Sequence, residues 1–474
     1  MGEEIKSSEF SEADFEAFRE RLAAETAALE TWEREGRLSH AGPVAGFEIE
    51  AWLIDGDYCP APKNAEFLAA SDDTLTSPEL SRFNVELNNE PQPIHGRAFS
   101  AFEAEIFQTW EHACETAEAI GTRLILTGIL PTVQAGDLSI ANMSDLNRYR
   151  ALNEQVLRMR GGRPLTLDIV GREHLHSEHG DVMLESATTS FQLHLQTPIE
   201  QAARTYNTAI LVSAPMVAIA ANSPFLFGHD LWDETRIPLF EQSVEVGGYA
   251  GVQRGPLWRV SFGSGYARQS ILECFRENLE HFPALLPIAF DETRTLPHLR
   301  LHNGTIWRWN RPLLGFDADG TPHVRIEHRV MPAGPTVIDQ VANAAFFYGL
   351  TQRLSGTDFE QLIPFARARD NFYEAARRGL SATLRWVRDE RIGVRQLILE
   401  TLLPMAREGL RELHIDETDI TRYLDIIQAR AETRQNGAEW HRRWVTVHGH
   451  DMQCLTADYL RNQWQGRPVH EWDL

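Results

Sequence analysis

Apolar and polar side chains alternate with a period of two in four separated stretches of the chain. In a β-strand successive side chains point to opposite faces. In GFEIEAWLID (46–55), Glu48 and Glu50 therefore share one face while Phe47 and Ile49 share the other. Their Cα atoms would sit about 6.5–7 Å apart, near enough for two carboxylates to hold neighbouring cations. In FNVELNNEP (83–91), Asn84, Glu86, Asn88 and Glu90 alternate with Val85 and Leu87 until Pro91 ends the run. SFQLHLQ (190–196) sets Gln192, His194 and Gln196 against Phe191, Leu193 and Leu195. HVRIEHR (323–329) sets Arg325, Glu327 and Arg329 against Val324, Ile326 and His328, after a turn at Asp317-Ala-Asp-Gly320. These are four strands with a polar and an apolar face each.

Elsewhere the spacing is helical. Residues 8–37 predict an N-terminal helix capped by Ser11 with Asp14 three residues on. Residues 98–120 predict an amphipathic helix, 143–159 a helix with Arg148 and Tyr149 near its start, and 123–130 a buried strand. An apolar helix over 199–221 leads into ANSPFLFG (221–228), with Arg236 downstream. From Val337 onward the pattern is helical, over 337–354, 358–390, 393–412, 416–434 and 438–464. This predicts an N-terminal helix in residues 1–40, a sheet domain over 41–350 and a helical lobe over 351–474 packed on the same core. The chain contains no internal repeat and no low-complexity linker.

Composition narrows the function. With 474 residues, 43% hydrophobic and 24% charged, the chain is of the globular class. A formal charge of −23 excludes nucleic acid and anionic membrane as global partners, so an anionic substrate needs a local basic pocket. Four scattered cysteines without CxxC spacing suit a reducing compartment. The acidic opening residues lack the basic and apolar regions of a signal peptide, and the apolar run 209–227 is broken by Pro215, Asn222 and Pro224. These features imply a cytoplasmic protein, and its size and acidity suggest a homodimer.

The chemistry lies in the conjunction of the four polar faces. If the strands form one antiparallel sheet, Glu48, Glu50, Glu86, Glu90, His194 and Glu327 line a single concavity. Carboxylates suit Mg²⁺ or Mn²⁺, which commonly bridge to phosphate oxygens. Arg325, Arg329 and Arg236 offer planar donors for phosphate or carboxylate. Neither GGYAG (247–251) nor Gly263-Ser-Gly265 is a Walker A or GxGxxG motif, and no GxSxG is present. The histidine-rich stretch 173–181 reads as an exposed turn, its spacing matching no common zinc pattern. Two other readings remain open: a zinc-dependent hydrolase using His174, His176, His179 and His194, and a non-catalytic scaffold.

Five segments in order resemble the second class of the glutamate–cysteine ligase family, the carboxylate–amine ligases: GFEIEAWLID, Arg148-Tyr149, SFQLHLQ, ANSPFLFG with Arg236, and IEHR followed by PxGPTxxD. The resemblance implies an α+β fold akin to the catalytic half of glutamine synthetase, a curved antiparallel sheet forming a funnel flanked by helices. It implies ATP and Mg²⁺ or Mn²⁺, with small-molecule acid and amine substrates. Glu48, Glu50, Glu86 and Glu327 would hold metal ions, with Glu90 a further candidate. His194 would sit near a metal or the nucleotide, Arg325 and Asn222 would face the nucleotide, and Arg329 and Arg236 would neutralise the phosphoryl group as it moves. The reaction implied is amide formation through an acyl phosphate, with a γ-glutamyl acceptor such as cysteine.

Overall fold

The computed structural model describes Ile5, residues 9–246 and residues 258–474, so the GGYAG stretch lies outside the described residues. The centre is an eight-stranded antiparallel sheet. Its strands are drawn from β1 (Val44–Ile54), β2 (Thr76–Pro78), β3 (Asn84–Asn88), β4 (Gln92–Pro93), β5 (Arg123–Ile125), β8 (Ser190–Gln196), β9 (Asn310–Phe316) and β10 (Pro322–Pro332). A separate hairpin, β6 (Leu165–Val170) and β7 (His174–His179), stands apart from it. The order across the main sheet is β9-β10-β8-β1-β3-β2, with β4 and β5 pairing to opposite ends of β1. The sheet curls into a half-barrel, the α+β architecture that the family resemblance implies.

The register turns the four alternating segments into two coherent faces. On the apolar face Phe47 packs on Phe191, with ring centroids 5.5 Å apart, and meets Phe102 edge-on at 4.7 Å. His328 belongs to this face too. It stacks on Phe347 at 4.2 Å, and burial pushes its imidazole down to about 3, so it packs as a neutral aromatic.

Helices α1 (Glu12–Arg34), α2 (Ala98–Ala119), α3 (Ile199–Ala220), α4 (Arg236–Ser243), α5 (Val337–Ser355) and α6 (Leu403–Glu412) flank the sheet. The expected capping box starts α1: Ser11 accepts from the Asp14 amide and Asp14 accepts from the Ser11 amide at 2.8 Å. The helices beyond residue 351 share one continuous hydrophobic core with the sheet. At the α5–α6 contact a Cβ on Gly409 would lie 1.9 Å from the Gly349 carbonyl oxygen, so the two backbones approach as only glycine permits. Among the described residues no helix is long and apolar enough to cross a membrane.

Several elements differ from the sequence expectation, each for a local reason. The stretch 173–181 is not a turn: His174–His179 forms β7, with Leu175 facing inward between exposed His174 and His176. The strand at 83–91 stops at Asn88, and the one at 123–130 at Ile125. The helix expected over 358–390 is interrupted at Pro364 and at Gly379, whose φ of +47° favours glycine, and a short hairpin (Thr383–Arg385 with Arg391–Gly393) follows. Gly449, at φ +91°, divides 438–464 into two helices.

Candidate active site

The polar face carries two groups of metal-ligand type, and the alternation in β1 supplies one acid to each. Glu48 joins His194 and Glu327, and Glu50 joins Glu79 and Glu86; within each group the donor atoms lie within 4.8 Å of one another. Register explains the assembly. Glu50 sits opposite Glu86 of β3, and His194 of β8 sits opposite Gly46 of β1 and Glu327 of β10. The missing side chain at Gly46 leaves room beside His194, whose Nε2 faces Glu48 Oε1 at 3.1 Å and Glu327 Oε1 at 4.0 Å.

The first group is balanced by protein cations. Arg311 of β9 lies directly opposite Glu327 and clamps it in bidentate fashion at 2.8 and 2.9 Å, while Arg329 adds a bond at 3.0 Å. Burial acts to raise the Glu327 carboxyl, yet Arg311 and then Arg329 outweigh it and hold it well below the ordinary range. Burial likewise opposes ionisation of Glu48, and the adjoining His194 brings it down to about 2. Arg325 Nε donates to His194 Nδ1 at 3.1 Å and so fixes the ring.

The second group lacks that balance. Glu50 accepts from the Ser190 amide at 2.7 Å and from Gln192 at 2.9 Å, and Glu86 Oε1 accepts from Ser77 at 2.9 Å and Asn88 at 3.0 Å. Glu86 Oε2 is buried with no hydrogen-bond partner. Burial pushes Glu50 up to about 7 despite Arg329, and Glu86 adds to the rise. Glu79 is raised well above the carboxylate range by burial, Glu86, Glu50 and Glu185, in that order. Buried carboxyls crowded together and an orphaned carboxylate oxygen fit an oxygen-seeking divalent cation, Mg²⁺ or Mn²⁺. A cavity of about 20 Å³ adjoins this group, walled by Glu50, Glu79, Glu185, Arg236, Phe240 and Arg329. It has room for roughly one water-sized group.

Of the residues singled out from sequence, Glu48, Glu50, Glu86, His194, Arg325, Glu327 and Arg329 converge here, and Arg236 lines the cavity. Arg236 is buried and tied down: its Nε bonds Glu234 at 3.2 Å, its Nη2 bonds the Arg329 and Val330 carbonyls, and its guanidinium lies over Trp309 at 5.3 Å. Glu90 is corrected. It stands exposed past the end of β3, outside both groups, because the strand stops before the alternation does. Asn222 is corrected as well: its side chain staples the Ala333 carbonyl and the Tyr459 hydroxyl at 2.9 and 2.8 Å. His174, His176 and His179 lie on the separate hairpin, where His174 pairs with Asp168 at 2.7 Å, and they do not join His194.

Sequence reading missed Glu79, Glu185 and Arg311. Arg311 was recoverable, because counting outward from the Asp317–Gly320 turn pairs it with Glu327. Glu79 sits in the β2–β3 connection and Glu185 in the short 3₁₀ segment Val182–Ala187, neither of which has a periodic signal. The Arg148-Tyr149 pair serves this region indirectly: the Tyr149 hydroxyl donates to the Pro78 carbonyl at 3.0 Å, next to Glu79.

The fold has solved counterparts at low identity. A glutamate–cysteine ligase from Francisella tularensis, in complex with AMP, superposes with a TM-score of 0.54 at 12% identity over 92% of this chain and 90% of that one. A bifunctional glutathione synthetase from Pasteurella multocida gives 0.50 at 10% identity, over 90% of this chain and 52% of that longer one. No curated protein matches the chain in sequence. Residues 44–466, from the first residue of β1 to beyond the last long helix, match glutamate–cysteine ligase family 2, and the chain belongs to that family and is a ligase of the carbon–nitrogen bond-forming kind.

Proposed function

We propose that the chain is an ATP-dependent ligase that activates the side-chain carboxyl of glutamate as an acyl phosphate and joins it to an amine, with cysteine the first candidate. The observation that carries this reading is the pair of ligand groups side by side on one sheet, with Arg329 reaching toward both. A carboxylate is a poor electrophile because its oxygen is a poor leaving group, and transfer of the γ-phosphoryl of ATP supplies a better one. That transfer depends on positioning and on offsetting negative charge rather than on a protein nucleophile. Divalent cations held by Glu50, Glu79 and Glu86, and by Glu48, His194 and Glu327, would supply Lewis acidity toward the phosphates. Arg329 and Arg236 both line the cavity, where their guanidinium groups would suit an oxygen of a phosphate or a carboxylate. The AMP in the Francisella relative and the family's name agree with a nucleotide and a glutamyl acid.

The test is phosphate release from Mg·ATP and L-glutamate across a panel of amines including cysteine, with mass detection of the product. Amine-dependent release with the matching amide mass is expected. No turnover with any acid or amine, together with no Mg·ATP binding by calorimetry, would overturn the reading.

A further inference from the structure

We propose that the β6–β7 hairpin carries a metal site of its own, apart from the two groups on the main sheet, in which His174, His176 and Asp168 hold a first-row transition ion such as Zn²⁺. The register puts the three residues on one exposed face. His174 and His176 occupy alternate positions of β7, with Leu175 between them turned into the core, and Asp168 of β6 stands directly opposite His176. Two imidazoles therefore flank one carboxylate: His174 Nε2 lies 2.7 Å from Asp168 Oδ1, and His176 Nδ1 lies 4.0 Å from Oδ2. Ligand atoms at zinc-bond length around a tetrahedral ion sit about 3.3 Å apart. One of these pairs has only to open slightly and the other to close. The His176 ring can swing to do so, since it makes no hydrogen bond among the described residues and more than half of it is exposed.

The backbone beneath these side chains is already fixed. Six consecutive residue pairs join β6 to β7, from Leu165 with His179 to Val170 with His174. Leu165, Leu167, Ile169 and Leu175 are buried on the opposite face. The Asp168 amide donates to Gln242 of α4 at 2.7 Å, and at the turn the Glu173 amide donates to the Asp230 carbonyl at 2.8 Å. A cation here orders three side chains and no main chain, which keeps the entropic cost of binding low. Elsewhere on the surface a histidine meets a single acid, as His112 meets Asp72 at 2.8 Å, and that is an ordinary ion pair. At the hairpin a second imidazole, without a partner of its own, converges on the same carboxylate, which an ion pair does not require. Glu178, next along the same face, adds a negative charge. Two nitrogens and an oxygen suit zinc, cobalt or nickel, whereas magnesium prefers oxygen alone. The bound ion displaces the proton shared by His174 and Asp168 and ties the two strands together through their side chains, with its remaining position open to water.

Zinc titration by calorimetry tests this on the full chain, stripped of metal with a chelator and held in excess Mg²⁺ so that magnesium competes for the oxygen-rich groups of the main sheet. The parent is compared with His174→Ala, His176→Ala and Asp168→Asn, and with His112→Ala as the control for a lone histidine–acid pair. Even a residue that only supports a metal ligand contributes about 10–100-fold to affinity. The expected result is one equivalent of Zn²⁺ that each hairpin variant binds at least about 10-fold more weakly and that His112→Ala binds as the parent does. The substituted side chains are exposed, so unfolding midpoints without zinc should match the parent's, and zinc should raise the parent's midpoint more than those of the hairpin variants. Equal zinc binding in the parent and the hairpin variants overturns the proposal, as does a loss in His112→Ala as large as theirs, or no zinc uptake in the presence of magnesium. A loss confined to one hairpin variant also overturns it, because adventitious contact with a single imidazole gives that result. None of these readouts depends on turnover, so the ligase reading stands or falls separately.

Discussion

Glu327→Gln tests the charge balance of the site. The substitution keeps size and shape but removes the carboxylate that Arg311 clamps at 2.8 and 2.9 Å and Arg329 meets at 3.0 Å. Glu327, Arg311 and Arg329 are 1%, 4% and 6% exposed, so water cannot replace the lost partner. Removing one member of a buried ion pair destabilises by about 3–5 kcal/mol, because the surviving charge is left uncompensated. Here the lower end is expected: the glutamine oxygen still accepts one hydrogen bond, and Arg329 keeps Gln192. About 3 kcal/mol is a large share of the roughly 5–15 kcal/mol that holds a domain together. Sequence alone would predict lost turnover in an intact fold; the structure adds a stability loss. The assay is urea unfolding without divalent cations, comparing Glu327→Gln, Arg311→Met and the double variant. Because the folded Glu327 carboxyl is depressed, its contribution is complete above the ordinary carboxylate range and is lost as pH falls below it. The deficit should therefore be full at pH 7 and shrink in acid, and the double variant should recover part of it. Additive effects in the double variant, or a Glu327→Gln midpoint equal to the parent's, would refute the reasoning.

Two further predictions concern groups outside the ligand clusters. Burial pushes Glu241 up to about 7 although Trp309 and Tyr373 donate to it at 2.9 and 2.7 Å, so its contribution to stability falls as pH rises from the unfolded carboxylate value through 7. Glu241→Gln should flatten that slope and stabilise the protein at pH 8 by at most about 3 kcal/mol, read by urea unfolding at pH 5.5 and 8; an unchanged slope counts against it. Gly409→Ala would push a Cβ into the Gly349 carbonyl and should lower the free energy of unfolding by about 1–3 kcal/mol, whereas a neutral effect would mean that α6 does not pack on α5 as described.

What was legible in the sequence followed from period-two alternation, and what was not followed from where alternation ends. SFQLHLQ became β8 with its limits unchanged, because every residue in it is buried and one face is committed to each environment. Glu48 and Glu50 were readable as partners on one face. Their division between two ligand groups was not, because it depends on which strand lies on each side of β1. Glu90 shows the opposite failure: the pattern continued for two residues past the last strand hydrogen bond, and nothing local marks where pairing stops. Glu79 and Glu185 carry no periodic signal because they sit in irregular segments, held in place by neighbours distant in sequence. His328 alternated as an apolar-face residue, and its stacking on Phe347 confirms that position.

The two ligand groups are built from one strand yet left in opposite electrostatic states, and that difference bears on the order of events at the site. The Glu48 and Glu327 carboxyls are held below the ordinary range, Glu48 by the adjoining His194 ring and Glu327 by the guanidinium groups of Arg311 and then Arg329. A cation arriving there competes with protein charges and gains less. Burial first, and then the crowding of Glu50, Glu79 and Glu86 on one another, raises the Glu50 and Glu79 carboxyls, with Arg329 opposing the rise at Glu50. A divalent cation held there, as proposed above, would displace their protons and relieve the crowding in one step, and its binding would then strengthen with rising pH. Arg329 is the hinge of this arrangement. Its Nη1 is held by Glu327 and Gln192 while its Nε is buried without a partner, so it can offer a donor to an anionic group in the cavity without abandoning the carboxylate that anchors it.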